Sequence, residues 1–392
     1  MKAMRGAAML CAACLIGTGI CSLPAPAAVY AAEEETAPEF EGLRYETADG
    51  AVTITGFTSD LTGKVTVPAE IDGLPVTKIG EGAFKYNFKI TEVTLPDSIT
   101  ELGKLAFKSC GKMTKATLPK NLTAIPESCF EECRKLESLV IPEPVKSLGE
   151  LAFAQCLALA DLTVPEGLET VGEDAFLNTP WLEAKRAENP FVIINHVLID
   201  GKACSGDITI PSDVTVIGPS AFAHDYYLKN VLVPENVKEI ARLGFFNCTG
   251  LESITVLNPE CKIYDIDGTI SNIYNKHQFS FMGAIRGYEN STLQAFCEPR
   301  DYPFEVITAV RGDYDLNGKV SSDDAQNVLN YYAQAVAGST PALNALQKEG
   351  TDVNGDGAID SADAQLILLY YVQNTLAGVP TTWEQLTAES SS

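Results

Sequence analysis

Phe130-Glu-Glu-Cys133-Arg-Lys-Leu136-Glu-Ser-Leu139-Val-Ile141-Pro142 is one copy of a pattern that recurs every 23 residues. Its first residue, a phenylalanine, recurs at that spacing with one gap of 46, at Phe84, Phe107, Phe130, Phe153, Phe176, Phe222 and Phe245. A unit this short cannot bury its apolar side alone, so successive units must stack and share one core. The spacing therefore predicts a solenoid whose coils of about 23 residues each hold a β-strand and an irregular or short helical turn.

The spacing Leu136-x-x-Leu139-x-Ile141 is typical of leucine-rich repeats. The units combine Ala-Phe, a Cys or Asn three residues later, and Leu-Pro or Val-Pro, and in this they resemble the BspA-like leucine-rich repeat family. The resemblance covers about residues 45–306. The segment Gly287–Phe304, within a region that we place at about 262–306, resembles the terminal cap of such arrays.

The repeat loses its regularity between Leu177 and Ser212. Within this stretch, Pro190–Gly201 reads as a strand and hairpin added to the coil. We therefore place an insertion at about residues 183–207. It is either a decoration typical of the family or a specific binding ledge.

In each coil, the strand residues that alternate with core positions are expected to face outward and form a ladder across the array. They are Glu92, Thr94, Lys115, Thr117, Ser138, Val140, Asp161, Thr163, Asn230, Leu232, Ser253 and Thr255. This flat polar strip would suit a protein or glycan surface better than a small-molecule pocket. The alternative is a solvated sheet face, because threonine favours strands in any case.

Two further stretches, Asp313–Gly318 and Asp352–Gly357, each begin a 12-residue loop with oxygen side chains at alternate positions and glycine at the sixth. Loops of this type supply about six to eight oxygens to Ca²⁺, so we predict two ions. The predicted ligands are Asp313, Asp315, Asn317, the Lys319 carbonyl, Ser321 through a water, and Asp324, then Asp352, Asn354, Asp356, the Ala358 carbonyl, Asp360 and Asp363. Ordinary acidic turns are the alternative. Two loops in register, each followed by a helical pattern, argue against it.

The segments Asp324–Gln334 and Asp363–Gln373 match at Asp, Ala, Gln, Leu, Tyr, Tyr and Gln. An ordinary EF-hand has a helix before each loop and Glu at the twelfth position. Here Asp stands there, and Ala309–Gly312 leaves no room for an entering helix. The duplicated loop–helix unit resembles a type I dockerin, a small all-α module that plugs cellulosomal subunits into cohesin domains of a scaffoldin. We assign it to residues 307–380 and treat residues 381–392 as a polar tail.

The resemblance to dockerins implies a cohesin-contacting surface on each unit. In the first unit it comprises Ser322, Asp323, Tyr331 and Gln334, and in the second Ser361, Ala362, Tyr370 and Gln373. The near two-fold internal symmetry implies that either helix could dock, although Asp323 against Ala362 breaks that symmetry. One tyrosine of each Tyr-Tyr pair is alternatively expected to pack in the core between the helices.

The N-terminus resembles an export signal. Lys2 and Arg5 precede an apolar stretch over residues 7–20 and a small-residue run over 25–32. We predict a signal peptide at 1–32, an acidic linker at 33–44, and a secreted protein without membrane insertion, since the apolar stretch is too short to span a bilayer. The net charge of −24 argues against nucleic acid as a partner.

Eight cysteines follow the predicted signal. Cys110, Cys133, Cys156 and Cys248 each stand three residues after a repeat phenylalanine, which predicts a ladder of buried thiols rather than disulfides. Oxidation of neighbouring pairs is the alternative. The histidines His196, His224 and His277 are scattered and form no recognisable nucleophile–base pairing, so we do not expect an enzyme.

These observations predict a secreted, non-catalytic component of a cellulosome-like complex. The dockerin would hold it on a scaffoldin, and so at the cell surface, while the repeats bind another protein, a glycan or a cell surface. One alternative is a free-standing surface adhesin stabilised by calcium. Another is a polysaccharide hydrolase or peptidase hidden on the repeat scaffold.

Overall fold

The computed structural model describes residues 39–275 and 278–390. The predicted signal peptide, residues 33–38 of the predicted linker and His277 lie outside the described residues. The rest of that linker is not a linker, because strands β1 (Glu39–Phe40) and β2 (Leu43–Ala48) begin within it. Leu43 is buried in the core of the repeat domain, so this segment belongs to the repeat fold.

A mixed sheet that begins with the antiparallel pair of β1 and β2 lies at the start of the solenoid. Its remaining strands are β3 (Ala51–Phe57), β5 (Glu70–Ile71), β6 (Leu74–Ile79) and β8 (Glu101–Leu102). Strands β3 and β6 pair in parallel, as the strands of successive coils do, so the stacking of the solenoid begins with this pair.

The solenoid then carries a broad row of parallel strands in two sheets, which we call the first face and the second face. The first face consists of β4 (Gly63–Thr66), β7 (Ile90–Thr94), β9 (Lys115–Thr117), β11 (Ser138–Val140) and β13 (Asp161–Thr163). The second face consists of β17 (Gly206–Thr209), β19 (Leu228–Val233), β21 (Ser253–Val256), β25 (Ala284–Gly287) and β26 (Phe304–Val306). Ser138 pairs with Asp161 and Asn230 with Ser253, which confirms the leucine-rich-repeat solenoid predicted from the 23-residue period.

A second, narrower row of short strands runs along the coils. It comprises β10 (Ala124–Ile125), β12 (Ser147–Leu148), β14 (Thr170–Val171), β16 (Val197–Asp200), β18 (Val216–Ile217), β20 (Glu239–Ile240) and β22 (Lys262–Ile263). The glycine that follows several of these strands allows close stacking. A Cβ atom on Gly149 would lie 2.3 Å from the backbone nitrogen of Glu127 in the preceding coil.

The core is a stack of the repeat phenylalanines. The rings of Phe84 and Phe107 lie 5.0 Å apart, and those of Phe107 and Phe130 lie 5.2 Å apart, with planes within 5° of parallel. The predicted thiol ladder runs beside them, because Cys133 Sγ donates to the Phe107 carbonyl at 3.2 Å and Cys156 Sγ to the Phe130 carbonyl at 3.1 Å. Each coil therefore contributes the same apolar layer to one continuous core.

The insertion consists of helix α1 (Pro180–Glu188) and an antiparallel hairpin of β15 (Val192–Ile194) with β16. It divides the repeat core into two clusters, one ending at Val192 and the other beginning at Leu198. The phenylalanine stack restarts at Phe222, whose ring lies within 2.1 Å of the position that a Cβ on Gly201 would occupy. Glycine at that position makes room for the first ring of the second stack.

The C-terminal part of the repeat domain holds the remaining short elements. They are the hairpin of β23 (Ile273–Asn275) and β24 (Gln278–Ser280), helix α2 (Thr292–Cys297) and a 3₁₀ turn (Glu298–Arg300). Leu293 and Phe296 of α2 are buried in the second core cluster, as expected of a cap.

A helical module follows. Its elements are α3 (Ser322–Val336), α4 (Ala345–Thr351), α5 (Ser361–Tyr371), a π-helical turn (Val372–Leu376) and α6 (Trp383–Ser390). Residues 383–390 are therefore not a polar tail, since Leu386 is buried with Val328 and Ile367 in the core of this module. Within the described ranges, no helix is both long enough and apolar enough to cross a membrane.

Candidate metal centre and partner surfaces

The first candidate loop brings three carboxylates together. Oxygen atoms of Asp313, Asp315 and Asp324 lie within 4.8 Å of one another, and Asp313 and Asp324 are buried. Burial is the main cause that raises the pKa of Asp313 to about 6, of Asp315 to about 7 and of Asp324 to about 6, and neighbouring carboxylates raise each further. Buried like charges at this spacing repel one another unless a cation neutralises them.

Backbone amides hold this loop in shape. Asp324 accepts hydrogen bonds from the amides of Tyr314 (2.9 Å) and Ser321 (2.8 Å), and also completes a capping box at the start of α3. Asp313 accepts from the amide of Gly318 at 2.7 Å, and this glycine has a φ of 82° that a larger residue rarely adopts. The turn and the helix start therefore orient the first and twelfth carboxylates of the loop.

The second loop repeats this bonding. Asp363 accepts from the amides of Val353 (2.9 Å) and Asp360 (3.0 Å), and Asp352 accepts from the amide of Gly357 at 3.0 Å. Burial raises the pKa of Asp363. This loop is more open, and in the part of the chain that the structure describes only the first loop brings three metal-type ligands within 4.8 Å.

The donor set fits Ca²⁺ because it is made of oxygens, and hard cations prefer carboxylate and carbonyl oxygen. Asp313, Asp315, Asn317 and Asp324 would hold an ion in the first loop, and the ion would neutralise the buried carboxylates. In the second loop, Asp352, Asn354, Asp356 and Asp363 stand at the matching positions. Ser321 and Asp360, at the ninth positions, cap helices α3 and α5 and accept hydrogen bonds from the amides of Asp323 and Ala362. Lys319 and Ala358, whose carbonyl oxygens are the remaining predicted ligands, are exposed.

The residues predicted to meet a cohesin differ in exposure. Ser322, Asp323, Gln334 and Ala362 are exposed, whereas Tyr331, Ser361, Tyr370 and Gln373 are partly buried. The Tyr370 ring stacks on Trp383 at 4.1 Å between centroids and packs against the module core, as the alternative interpretation of the tyrosine pairs expects.

The first face presents its predicted ladder to solvent. Thr94, Lys115, Thr117, Val140, Asp161 and Thr163 are exposed, and Glu92 and Ser138 are partly so. Lys64 of β4, which the sequence reading missed because it precedes the first repeat phenylalanine, pairs with Glu92 at 2.8 Å and extends the ladder by one strand. A shallow groove of about 360 Å³ runs from Lys115 past Val140 to Asp161.

The second face departs from the prediction. Ser253 and Thr255 are only 5% and 3% exposed, so the expectation that they face solvent is wrong. Asn230 and Leu232 are partly buried. A polar cleft of about 240 Å³ separates this face from the helical module, and its lining residues are Asp207, Ile208, Thr209, Asn230, Val231, Leu232, Ser253, Thr255, Asp315, Asn317, Asp323 and Asn327.

The cysteines offer no activated thiol in the described residues. All eight are buried and free, including Cys129, Cys204, Cys261 and Cys297, which stand outside the ladder. Burial raises the pKa of Cys110 and of Cys248 to about 12, which keeps these groups protonated at neutral pH. The two described histidines contact a backbone carbonyl and an amide, His196 with Asp213 and His224 with Asn247.

Two family models match the chain. The BspA type leucine rich repeat region matches in six copies over residues 65–189 and 201–297. The dockerin type I domain matches residues 311–370. Both are non-catalytic types of domain, and both are typical of extracellular or cell-surface bacterial proteins.

Similar solved structures are bacterial leucine-rich repeat proteins. One from Bacteroides ovatus is 22% identical, with a TM-score of 0.41 over 64% of this chain and 70% of that one. The leucine-rich repeat protein of T. pallidum is 22% identical, with a TM-score of 0.35 over 56% of this chain and 81% of that one. A leucine rich cell surface protein from Faecalibacterium prausnitzii is 20% identical, with a TM-score of 0.33 over 69% and 94%. No curated protein matches the chain at a significant level.

Proposed function

The chain belongs to the BspA-type leucine-rich repeat family and carries a type I dockerin domain, and from these two parts we propose its function. It is a secreted, non-catalytic subunit of a polysaccharide-degrading complex. Its dockerin, loaded with two Ca²⁺ ions, docks onto a cohesin of a scaffoldin. Its repeats bind a protein, a glycan or a cell surface.

The observation that carries this proposal is the convergence of Asp313, Asp315 and Asp324 inside the dockerin match. Without a cation, three neighbouring carboxylates, two of them buried, destabilise the loop that begins the first helix. With Ca²⁺ bound, the loop and α3 are held together, and metal binding is coupled to folding of the module. Docking is therefore expected to require calcium.

The second part of the proposal concerns the first face. Its exposed groove combines Lys115, Asp161 and two threonines around Val140, which is 65% exposed. An apolar side chain at the centre of a polar rim is typical of protein-binding surfaces. We assign partner binding by the repeats to this groove, because Ser253 and Thr255 of the second face are buried.

Titration of the secreted chain with a panel of type I cohesin domains, in calcium and then in EDTA, tests the docking claim. The double variant Asp313→Asn with Asp352→Asn removes one carboxylate from each loop and is expected to lose binding. The double variant Glu143→Gln with Glu260→Gln, at two exposed acidic residues of the repeat domain, is the matched control for the two lost charges and should bind like the unchanged chain. Binding that persists in EDTA would contradict the calcium requirement.

One observation favours a second candidate function. The first calcium loop packs against the second face of the repeats, so calcium could serve mainly to stabilise a free-standing surface adhesin. That function requires calcium for stability but no cohesin. Failure of every cohesin to bind a calcium-loaded, folded chain would support it over docking.

A further inference from the structure

The two loop–helix units of the dockerin are nearly equal in sequence but have different surroundings. Asp315, Asn317, Asp323 and Asn327 of the first unit line the polar cleft, with the second face as its other wall. Asp323 and Asn327 are four residues apart, so this stripe of helix α3 points toward the repeats. The lining of that cleft includes no residue of the second unit.

Apolar contacts anchor the first loop beside this cleft. Leu316, at the fourth position of the loop, is 2% exposed and forms a cluster with Leu257 of the repeats and with Ile307, which directly follows strand β26. Leu232 and Tyr288 pack against the same cluster. The first calcium loop is therefore attached to the solenoid through its own leucine.

The backbone at this position shows that the leucine is a special feature of the first unit. Leu316 has a φ of 57°, in the left-handed region that favours glycine. The matching residue of the second loop is Gly355, with a φ of 73°, and it is exposed. The first unit thus places a large apolar residue where the loop geometry favours glycine, and burial against the repeats offsets the strain.

The exposed apolar side chains of the two units differ in position, and α3 of the first unit exposes Leu329, Tyr332 and Val336. Leu368, Leu369 and Val372 on and just after α5 are exposed. The equivalent positions of the first unit hold Leu329, Asn330 and Ala333, so two of the three apolar side chains are missing or reduced. An exposed apolar patch with no partner in the chain marks a site of association.

We propose that the repeat domain blocks a cohesin from the first unit, whose Asp323 and Asn327 are open to solvent but face the repeats across a narrow cleft, and leaves helix α5 of the second unit as the surface that meets the cohesin. The dockerin then docks in one orientation, although its sequence is nearly symmetric. This inference rests on the proposed cohesin binding. A specific interface buries about 800 Å² on each partner, and the α3 stripe that faces the repeats across a narrow cleft does not offer that area.

Leu368→Asp and Leu329→Asp are a matched pair that tests the proposal, since both leucines are exposed and occupy equivalent positions. Binding of the full chain to a type I cohesin in calcium is measured by titration. We expect Leu368→Asp to weaken binding about 100-fold, as for a central interface residue, and Leu329→Asp to stay within about threefold. If Leu368→Asp binds like the unchanged chain, or if Leu329→Asp is the variant that loses binding, the proposal is wrong.

A second variant tests the blocking by the repeats. Leu316→Gly gives the first loop the residue of the second and removes its apolar anchor. In the double variant Leu316→Gly with Leu368→Asp, the freed α3 should restore binding to within about tenfold of the unchanged chain. A folded double variant that stays as weak as Leu368→Asp would overturn the blocking. An unchanged chain that binds no cohesin would instead remove the proposed docking function, on which this inference depends.

Discussion

The rings of Tyr370 and Trp383 stack with their centroids 4.1 Å apart and their planes 2° from parallel. Trp383 also packs on Gly312, where a Cβ atom would lie 2.6 Å from the indole, and the Arg311 guanidinium lies 5.5 Å from its ring centre. This contact joins the last described helix to the start of the first calcium loop. The segment after the second unit thereby becomes part of the dockerin fold.

Replacing Trp383 by Ala should destabilise the dockerin by about 2 kcal/mol, because the stacked ring and its packing on Gly312 are lost. Thermal unfolding of the full chain in calcium, followed through the dockerin transition, measures the change. Glu384→Ala is the control, since its exposed pair with Arg311 at 3.3 Å contributes little. An unchanged transition in Trp383→Ala would contradict the assignment of residues 383–390 to the fold.

The buried thiols should be inert in the native chain. Cys110, Cys156 and Cys248 donate to carbonyls of the preceding coil, and burial raises their pKa values to about 12. Reactivity toward a disulfide reagent should therefore stay low as pH rises through about 8 to 9, where an exposed thiol becomes thiolate. All eight thiols beyond residue 32 should react after unfolding in denaturant. Fewer titratable thiols in the unfolded, unreduced chain would mean that some pairs are oxidised.

Asp225 occupies the ladder position that cysteine holds in most coils. Its Oδ1 accepts from the amides of Tyr227 (2.8 Å) and Leu228 (3.3 Å), while its Oδ2 is buried without a partner. Burial raises its pKa, so the folded state disfavours the ionised form. That penalty is absent below the ordinary pKa near 4 and is complete once the pH exceeds the raised folded value.

Asp225→Asn should therefore stabilise the chain by about 1 kcal/mol at pH 7 and by much less near pH 4. Asn87 occupies the same position in the coil before Cys110, the first thiol of the ladder. Its side-chain oxygen already accepts the same pair of hydrogen bonds, from the amides of Lys89 and Ile90. The matched variant Asp225→Ala removes the hydrogen-bond acceptor and should destabilise the chain by about 1–2 kcal/mol at both pH values. Equal melting temperatures at pH 7 for the Asp225→Asn variant and the unchanged chain would contradict the claim that the buried Asp225 carboxylate destabilises the fold.

Removing the twelfth-position carboxylates should unfold the calcium loops individually. Asp324→Ala deletes a ligand and the acceptor for the amides of Tyr314 and Ser321, and is expected to weaken calcium binding at one site about 100-fold or more. Asp363→Ala should do the same at the second site. Calorimetric titration of each variant gives the number of ions lost. Two ions bound to either variant with unchanged affinity would refute the ligand assignment.

The coil register could be predicted from the sequence because a fixed period admits one way of stacking. Phe107 and Phe130 stand 23 residues apart, and their rings meet 5.2 Å apart for that reason. The convergence of Asp313 and Asp324 could also be predicted, because their positions in the first loop follow from local chain geometry. Local motifs and the 23-residue period were therefore enough to predict most of the fold.

The failures came from contacts between distant segments. Ser253 and Thr255 alternate like any outward strand residue, and no local signal shows that a module about 60 residues later lies opposite them. The helix at residues 383–390 did leave a signal, since Trp383 and Leu386 are three residues apart in an otherwise polar stretch. Leu316 stands where the second loop has glycine, and this difference marks the residue that packs against the repeats.

The central claim is that calcium-loaded dockerin loops attach this chain to a cohesin. The most direct test is a titration of the full chain with type I cohesin domains, first in calcium and then in EDTA. We predict tight binding in calcium that EDTA abolishes and that renewed calcium restores. A folded chain that binds two calcium ions but no cohesin would contradict the account and leave the free-standing adhesin in its place.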